Sequence, residues 1–134
     1  MNAEPSVLQL LQDLCRRDTR YPFEAYDFLF AALGYVQHEH SKKGLFKDDE
    51  KGKHLTGQQL AEGYKDLAVQ EFGMLAPAVF KAWNIQKTDD IGRMVYNLID
   101  LNLMSKTETD KLDDFNNVYD IPKALLQDFR IRLE

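Results

Sequence analysis

Apolar residues recur along most of this chain at three- and four-residue spacing, the period of a helix with one side on a core. Val7, Leu10, Leu11 and Leu14 form the first such stripe. Ser6 and Gln9 stand ahead of it as a capping box, each side chain placed to bond a free backbone N–H of the first turn. Asp18-Thr19-Arg20 reads as the break. Pro22 then suits the start of a second helix, where a missing N–H costs nothing. From Phe23 to His40 the pattern has two apolar faces, Tyr26, Leu29, Phe30 and Leu33 on one and Phe28, Ala32 and Tyr35 on the other. That predicts a central helix covered on both sides.

Ser41 to Lys53 breaks the pattern, with two glycines, five lysines and the triplet Asp48-Asp49-Glu50, and reads as a solvated mobile loop. Periodicity resumes in HLTGQQLAEGYKDLAVQEFG. There Thr56 is the predicted N-cap, Gln59 completes the box, and Leu55 and Leu60 form a hydrophobic staple. Gly73 is the predicted terminator. A short helix follows around Pro77 to Trp83, with the indole sealing a helix junction. Thr88 is read as the cap of the next helix, whose buried stripe is Ile91, Met94, Val95, Leu98 and Leu101 and which Asn102 ends. Leu103 to Ser105 and Val118 to Ile121 are read as two short strands. Thr107 is placed to cap a short helix between them that carries Leu112 and Phe115. Pro122 to Leu133 reads as a last helix with Leu125, Leu126 and Phe129 inward.

The expected fold is therefore mainly α, about six helices in one domain. Its central three-helix unit resembles a helix-turn-helix or winged helix, with one short β-hairpin near 103–121. The 134 residues suffice for one core without disulfide or metal staples. The single cysteine, Cys15, excludes an internal disulfide and fits a reducing compartment. No basic n-region opens the chain and no apolar run approaches a membrane span, so the expected location is cytoplasmic.

Net charge is −5. Residues 1–55 carry eight Lys/Arg and nine Asp/Glu, and residues 56–134 carry nine and thirteen. Neither part offers the cationic footprint that a phosphate backbone rewards. In a winged-helix reading the Thr88 helix enters the groove and its outward residues are Asp89, Asp90, Arg93, Asn97 and Asp100. One cation against three acids suits protein contact better than DNA.

Candidate chemistry is sparse. His38, His40 and His54 are the candidate metal ligands, with the acids at 48–50 on the same loop. In a continuous helix, however, residues two apart point to nearly opposite sides. Glu108, Asp110, Asp113, Asp114 and Asp120 form an oxygen-rich cluster without EF-hand spacing or its glycine. Capping and solubility account for most of them. Arg16 and Arg17 flank Cys15 and would lower a thiol pKa, but no base accompanies it. No nucleophile elbow, Walker loop, dinucleotide fingerprint or HExxH is present. Neither a cofactor nor a catalytic residue is expected.

The pieces HLTGQQL, LAVQEFG, Trp83, TDDIGRMVYNLI and KTETDKLDDF followed by VYD resemble a small uncharacterised bacterial family, described mainly from planctomycete and verrucomicrobial lineages. They cover residues 54 to 120, about half the chain. The family pattern favours a glycine where Asn84 stands, an aromatic at Ile91 and an acid at Arg93. Asn84 still permits a left-handed cap. The resemblance implies the family's fold and assigns no activity. The resulting expectation is a non-enzymatic module that binds another protein or itself, with Asp90, Arg93 and Asn97 as the candidate surface. A winged-helix nucleic-acid binder and a metal-dependent small enzyme are the alternatives.

Overall fold

The computed structural model describes residues 6–42, 55–105 and 111–133, the stretch 129–133 by backbone alone. Within them lie helices α1 (Val7–Arg17), α2 (Phe23–Lys42), α3 (Gly57–Phe72), α4 (Ala76–Ala82), α5 (Thr88–Asp100) and α6 (Ile121–Leu133). Short 3-10 turns occupy Gly73–Leu75 and Leu112–Phe115. Five of the helices have eleven or more residues, and α4 has seven.

Both predicted capping boxes form. The Ser6 hydroxyl accepts from the Gln9 N–H at 3.1 Å and Gln9 returns the bond to the Ser6 N–H at 2.9 Å. Thr56 and Gln59 repeat the arrangement at 3.0 and 2.9 Å. Gly73 ends α3 at φ 53°, ψ −128°, a conformation that suits only a residue without Cβ. Asn84 and Asn102 end α4 and α5 at φ 61° and 59°. Both ends are Schellman motifs, in which backbone N–H groups beyond the helix return to carbonyls of its last turn. Ile85 N–H bonds Phe80 O and Asn84 N–H bonds Lys81 O; Leu103 N–H bonds Leu98 O and Asn102 N–H bonds Ile99 O.

Thr88 does not cap α5. Its side chain is buried, donating to Phe115 O at 2.5 Å and accepting from the Val118 N–H at 3.1 Å. The Asp90 carboxylate takes the N-terminal donors instead, from the Gln86 and Lys87 N–H groups at 2.8 and 3.1 Å. These same bonds explain why the expected hairpin is absent. Leu103 spends its N–H on the α5 cap, Val118 spends its own on Thr88, and Ile121 opens α6. No strand occurs among the described residues. Thr107 lies outside them, as does most of the predicted 41–53 loop, for α2 runs on through Lys42.

The core forms where α2 and α3 pack together. Gly63 permits the approach: a Cβ there would sit 1.8 Å from Val36 Cγ2. Tyr26 and Leu29 of α2, Tyr64 of α3, Phe80 of α4, and Met94 and Leu98 of α5 are fully buried. The Tyr64 hydroxyl finds the Ala25 carbonyl at 3.1 Å, which satisfies the one polar atom of a buried ring. Phe115 is wedged between α3 and α5. A Cβ on Gly92 would stand 2.7 Å from its Cβ, and one on Gly57 would stand 3.0 Å from its Cε2. Trp83 seals the α4 end against Phe28 and Phe72, with ring centroids at 5.5 and 5.8 Å. Two predicted inward residues face water: Val7 is 52% and Leu126 50% exposed. Val7 opens α1 ahead of the turn that α2 covers, and on α6 Ile121 and Leu125 already fill the buried side. Phe129 lies beyond the described side chains.

Candidate functional site

A polar cluster joins the α1–α2 turn, the α4–α5 turn and one face of α5. Asp90 is its centre, 8% exposed. Its Oδ1 accepts from the Tyr21 hydroxyl at 2.5 Å and from Arg93 Nη1 at 2.7 Å. Its Oδ2 takes the two backbone N–H groups described above. Burial pushes the Asp90 carboxyl pKa up, but the Tyr21 hydroxyl, both backbone N–H groups and the Arg93 charge outweigh it and hold the pKa below its ordinary value. Tyr21 responds in the opposite sense. Burial first, then its bond to the Asp90 carboxylate, push the phenol up to about 12.

A second string of bonds adjoins the first. Asn97 Nδ2 donates to the Tyr26 hydroxyl at 3.0 Å and reaches Asp18 Oδ2 at 3.5 Å. Asp18 closes on Arg20 through its backbone N–H at 3.1 Å and its guanidinium at 3.2 and 3.3 Å. Asn84 Nδ2 donates to the Arg20 carbonyl at 3.3 Å. Of the predicted surface residues, then, Asp90 and Asn97 point into the fold, and Arg93 presents a half-exposed guanidinium. The α1–α2 turn covers the face of α5 that the sequence leaves looking outward.

Chemically this arrangement is a clasp. Both oxygens of Asp90 are committed to donors, and its phenol partner stays neutral at ordinary pH. A nucleophile or base needs a free lone pair directed at solvent or substrate.

The remaining candidates disperse. α2 passes unbroken through His38 and His40, so the two imidazoles leave it on different sides. His54 lies outside the described residues. Among the described residues no three His, Cys, Asp or Glu are grouped so as to hold a metal ion. Asp113, Asp114 and Asp120 serve turns: Asp114 accepts from the Lys111 N–H, Asp113 from Asn116 Nδ2 and Asp120 from the Lys123 N–H. Glu108 and Asp110 are outside the described residues. Cys15 is half-buried; burial, then Glu24 and Asp18, push its thiol pKa up, against the effect expected of Arg16 and Arg17.

Three features have no precursor in the sequence reading. Lys65 sits 11% exposed at the α3–α6 seam, its Nζ 3.0 Å from Glu62, 3.1 Å from Asp128 and 3.7 Å from Asp66. The Tyr119 ring lies beside it with its centroid at 5.3 Å, and the Tyr119 hydroxyl donates to Ala61 O at 2.7 Å. An open cavity of about 410 Å³ lies between α2, α3, α5 and the Leu112–Phe115 turn, with apolar walls from Leu33, Leu60, Val95 and Ile99. At the α3–α4 corner Met74 and Leu75 are 72% and 63% exposed, and α6, which carries exposed Leu126, packs against that turn. Only the last had a sequence signal, an apolar pair directly after a terminating glycine.

No family model, curated protein or solved structure matches the chain.

Proposed function

We propose that this chain is a non-enzymatic interaction module whose partner is another protein, engaged through the apolar α3–α4 corner. The carrying observation is the adjacent pair Met74 and Leu75, large apolar side chains exposed on the 3-10 turn that joins α3 to α4. Isolated exposed apolar residues are ordinary, whereas contiguous exposed apolar patches mark contact sites more often. α6, which packs against the same turn, carries a further exposed apolar residue, Leu126. The clasp supports the reading from the other side, because its titratable groups are consumed in holding the turns together. Arg93 remains the one member of the Asp90–Arg93–Asn97 set offered to a partner.

The proposed setting is the cytoplasm. The lone, half-buried Cys15 suits a reducing compartment, and no helix among the described residues is long and apolar enough to cross a membrane.

The test is cross-linked capture from native lysate, with and without nuclease, comparing the wild-type chain with Met74→Ser/Leu75→Ser. The proposal expects a stoichiometric protein that survives nuclease and is lost with the double variant. Capture that disappears with nuclease contradicts a protein partner. Equal capture by the double variant contradicts the surface. A monomer–dimer equilibrium in sedimentation that the same variant abolishes would make the partner a second copy.

A further inference from the structure

The clasp holds two guanidiniums side by side at the surface. Arg93 stands on α5, and Asn97, four residues on, shares its face. Asn97 Nδ2 reaches Asp18 Oδ2, the oxygen to which Arg20 Nη2 donates at 3.2 Å. Asp18 thereby sets the Arg20 guanidinium beside Asn97, one helical turn from Arg93. The bond to Asp18 raises the Arg20 pKa and the Arg93 charge works against it, as between cations close enough to repel. Both arginine side chains are about half exposed, whereas Asp18 and Asp90 form the more buried ends of the two pairs.

This placement has a chemical use. Each carboxylate fixes its arginine from the inner side, which orients the guanidinium before any ligand arrives. Arg20 gives Asp18 its Nε and Nη2, and Arg93 gives Asp90 its Nη1. A guanidinium carries more N–H donors than that, so each arginine keeps some for an outside acceptor. A carboxylate ligand has two oxygens, and one arginine fork satisfies it, as Arg20 does for Asp18. A phosphate monoester has three strong acceptor oxygens and nearly two charges at neutral pH, enough for both forks. A longer polyanion is disfavoured by the net charge of −5 and by Asp89 and Asp100 on the same helix.

We propose that Arg20 and Arg93 form a two-arginine clamp for a phosphate monoester. Asn84, which ends α4, bonds the Arg20 carbonyl, so the clamp lies at the far end of α4 from Met74 and Leu75. It is a second site and does not depend on the partner surface assigned above. The two ion pairs leave the clamp neutral, so affinity rests on fork geometry more than on net charge and falls in the millimolar range.

The test follows the arginine Nε and Cζ resonances of the full chain at constant ionic strength and neutral pH. The probes are inorganic phosphate, a blocked phosphoserine peptide and, as a control, acetate. Arg20 and Arg93 are expected to shift together and saturably with the phosphate probes. Arg16, an exposed arginine paired with Asp13, is expected to stay in place. Arg20→Lys and Arg93→Lys keep the charge and lose the fork, and each is expected to weaken binding by about tenfold. If one variant does not fold, the other decides. Tighter binding of the peptide identifies a phosphorylated protein as the source and equal binding a free ester, and either result supports the clamp. The absence of a saturable shift, equal shifts at Arg16, equal binding of acetate, or lysine variants that bind as wild type each overturn it.

Discussion

Tyr21 and Asp90 stand 69 residues apart and share a buried hydrogen bond of 2.5 Å, so the break between α1 and α2 is tied directly to the first turn of α5. One carboxylate thereby caps a helix, receives a phenol and pairs an arginine. A hydrogen bond to a charged group contributes more than a neutral one. Tyr21→Phe should cost about 1.5–3 kcal/mol in urea denaturation. Asp90→Ala should cost more, because it strands the Gln86 and Lys87 N–H groups and the Tyr21 hydroxyl together. A loss under about 0.5 kcal/mol for both would place the clasp among ordinary surface contacts.

The same pair fixes the pH limits of stability. Asp90 has its pKa lowered by folding, so its contribution is complete above the unfolded value near about 4 and is lost as pH falls through the folded value. Tyr21 has its pKa raised to about 12, so its contribution is complete below the unfolded value near about 10 and is lost as pH rises towards 12. Tyr21→Phe should flatten the alkaline limb of a stability–pH curve. The difference in phenolate absorbance between wild type and variant should titrate near the folded value.

Glycines in the helices divide into needed and dispensable ones. A Cβ on Gly92 collides with Phe115, and Gly92→Ala should cost about 1–3 kcal/mol by overpacking. Gly34 is exposed on α2, and beyond its chain neighbours and the helix's own backbone nothing lies within 4 Å of the position of its missing Cβ. Gly34→Ala should therefore stabilise by about 0.5–1 kcal/mol through helix propensity alone. Thermal melts of the two variants should move in opposite directions.

The two asparagine caps should differ as well. Asn102→Gly relieves a positive φ at a side chain that makes no hydrogen bond among the described residues, and should raise the melting temperature slightly; Asn102→Ala should cost about 1 kcal/mol. Asn84→Gly relieves the same strain but surrenders the bonds to the Arg20 carbonyl and from Gln86 Nε2. Its gain should be smaller or absent.

The sequence made the local structure legible where local chemistry decides it. Ser6–Gln9 and Thr56–Gln59 are boxes readable from four consecutive residues, and both form. Gly73 and Asn102 end helices as their types predict. Thr88 misled because its neighbours give a cap signal while Phe115 and Val118, far along the chain, claim its hydroxyl. The hairpin failed for the same reason: Leu103 to Ser105 and Val118 to Ile121 read as short strands, but N–H groups such strands need were already taken. The clasp was half visible. Asp90, Arg93 and Asn97 stood out as the polar face of an amphipathic helix, and periodicity alone reads such a face as solvent. Tyr21 and Asp18, which cover it, lie in the α1–α2 turn and left no periodic trace, and Tyr26 showed only as one residue of an apolar stripe on α2. Lys65 and Asp128 are likewise brought together only by the packing of α6 on α3.

The most direct measurement is nuclease-treated, cross-linked capture from native lysate with the wild-type chain beside Met74→Ser/Leu75→Ser, the variant's melting temperature being checked first. The account predicts a stoichiometric protein partner on the wild type, its loss from the double variant, and a melting temperature unchanged because both side chains are exposed. A partner bound equally by both chains, or one that disappears with nuclease, would contradict the account.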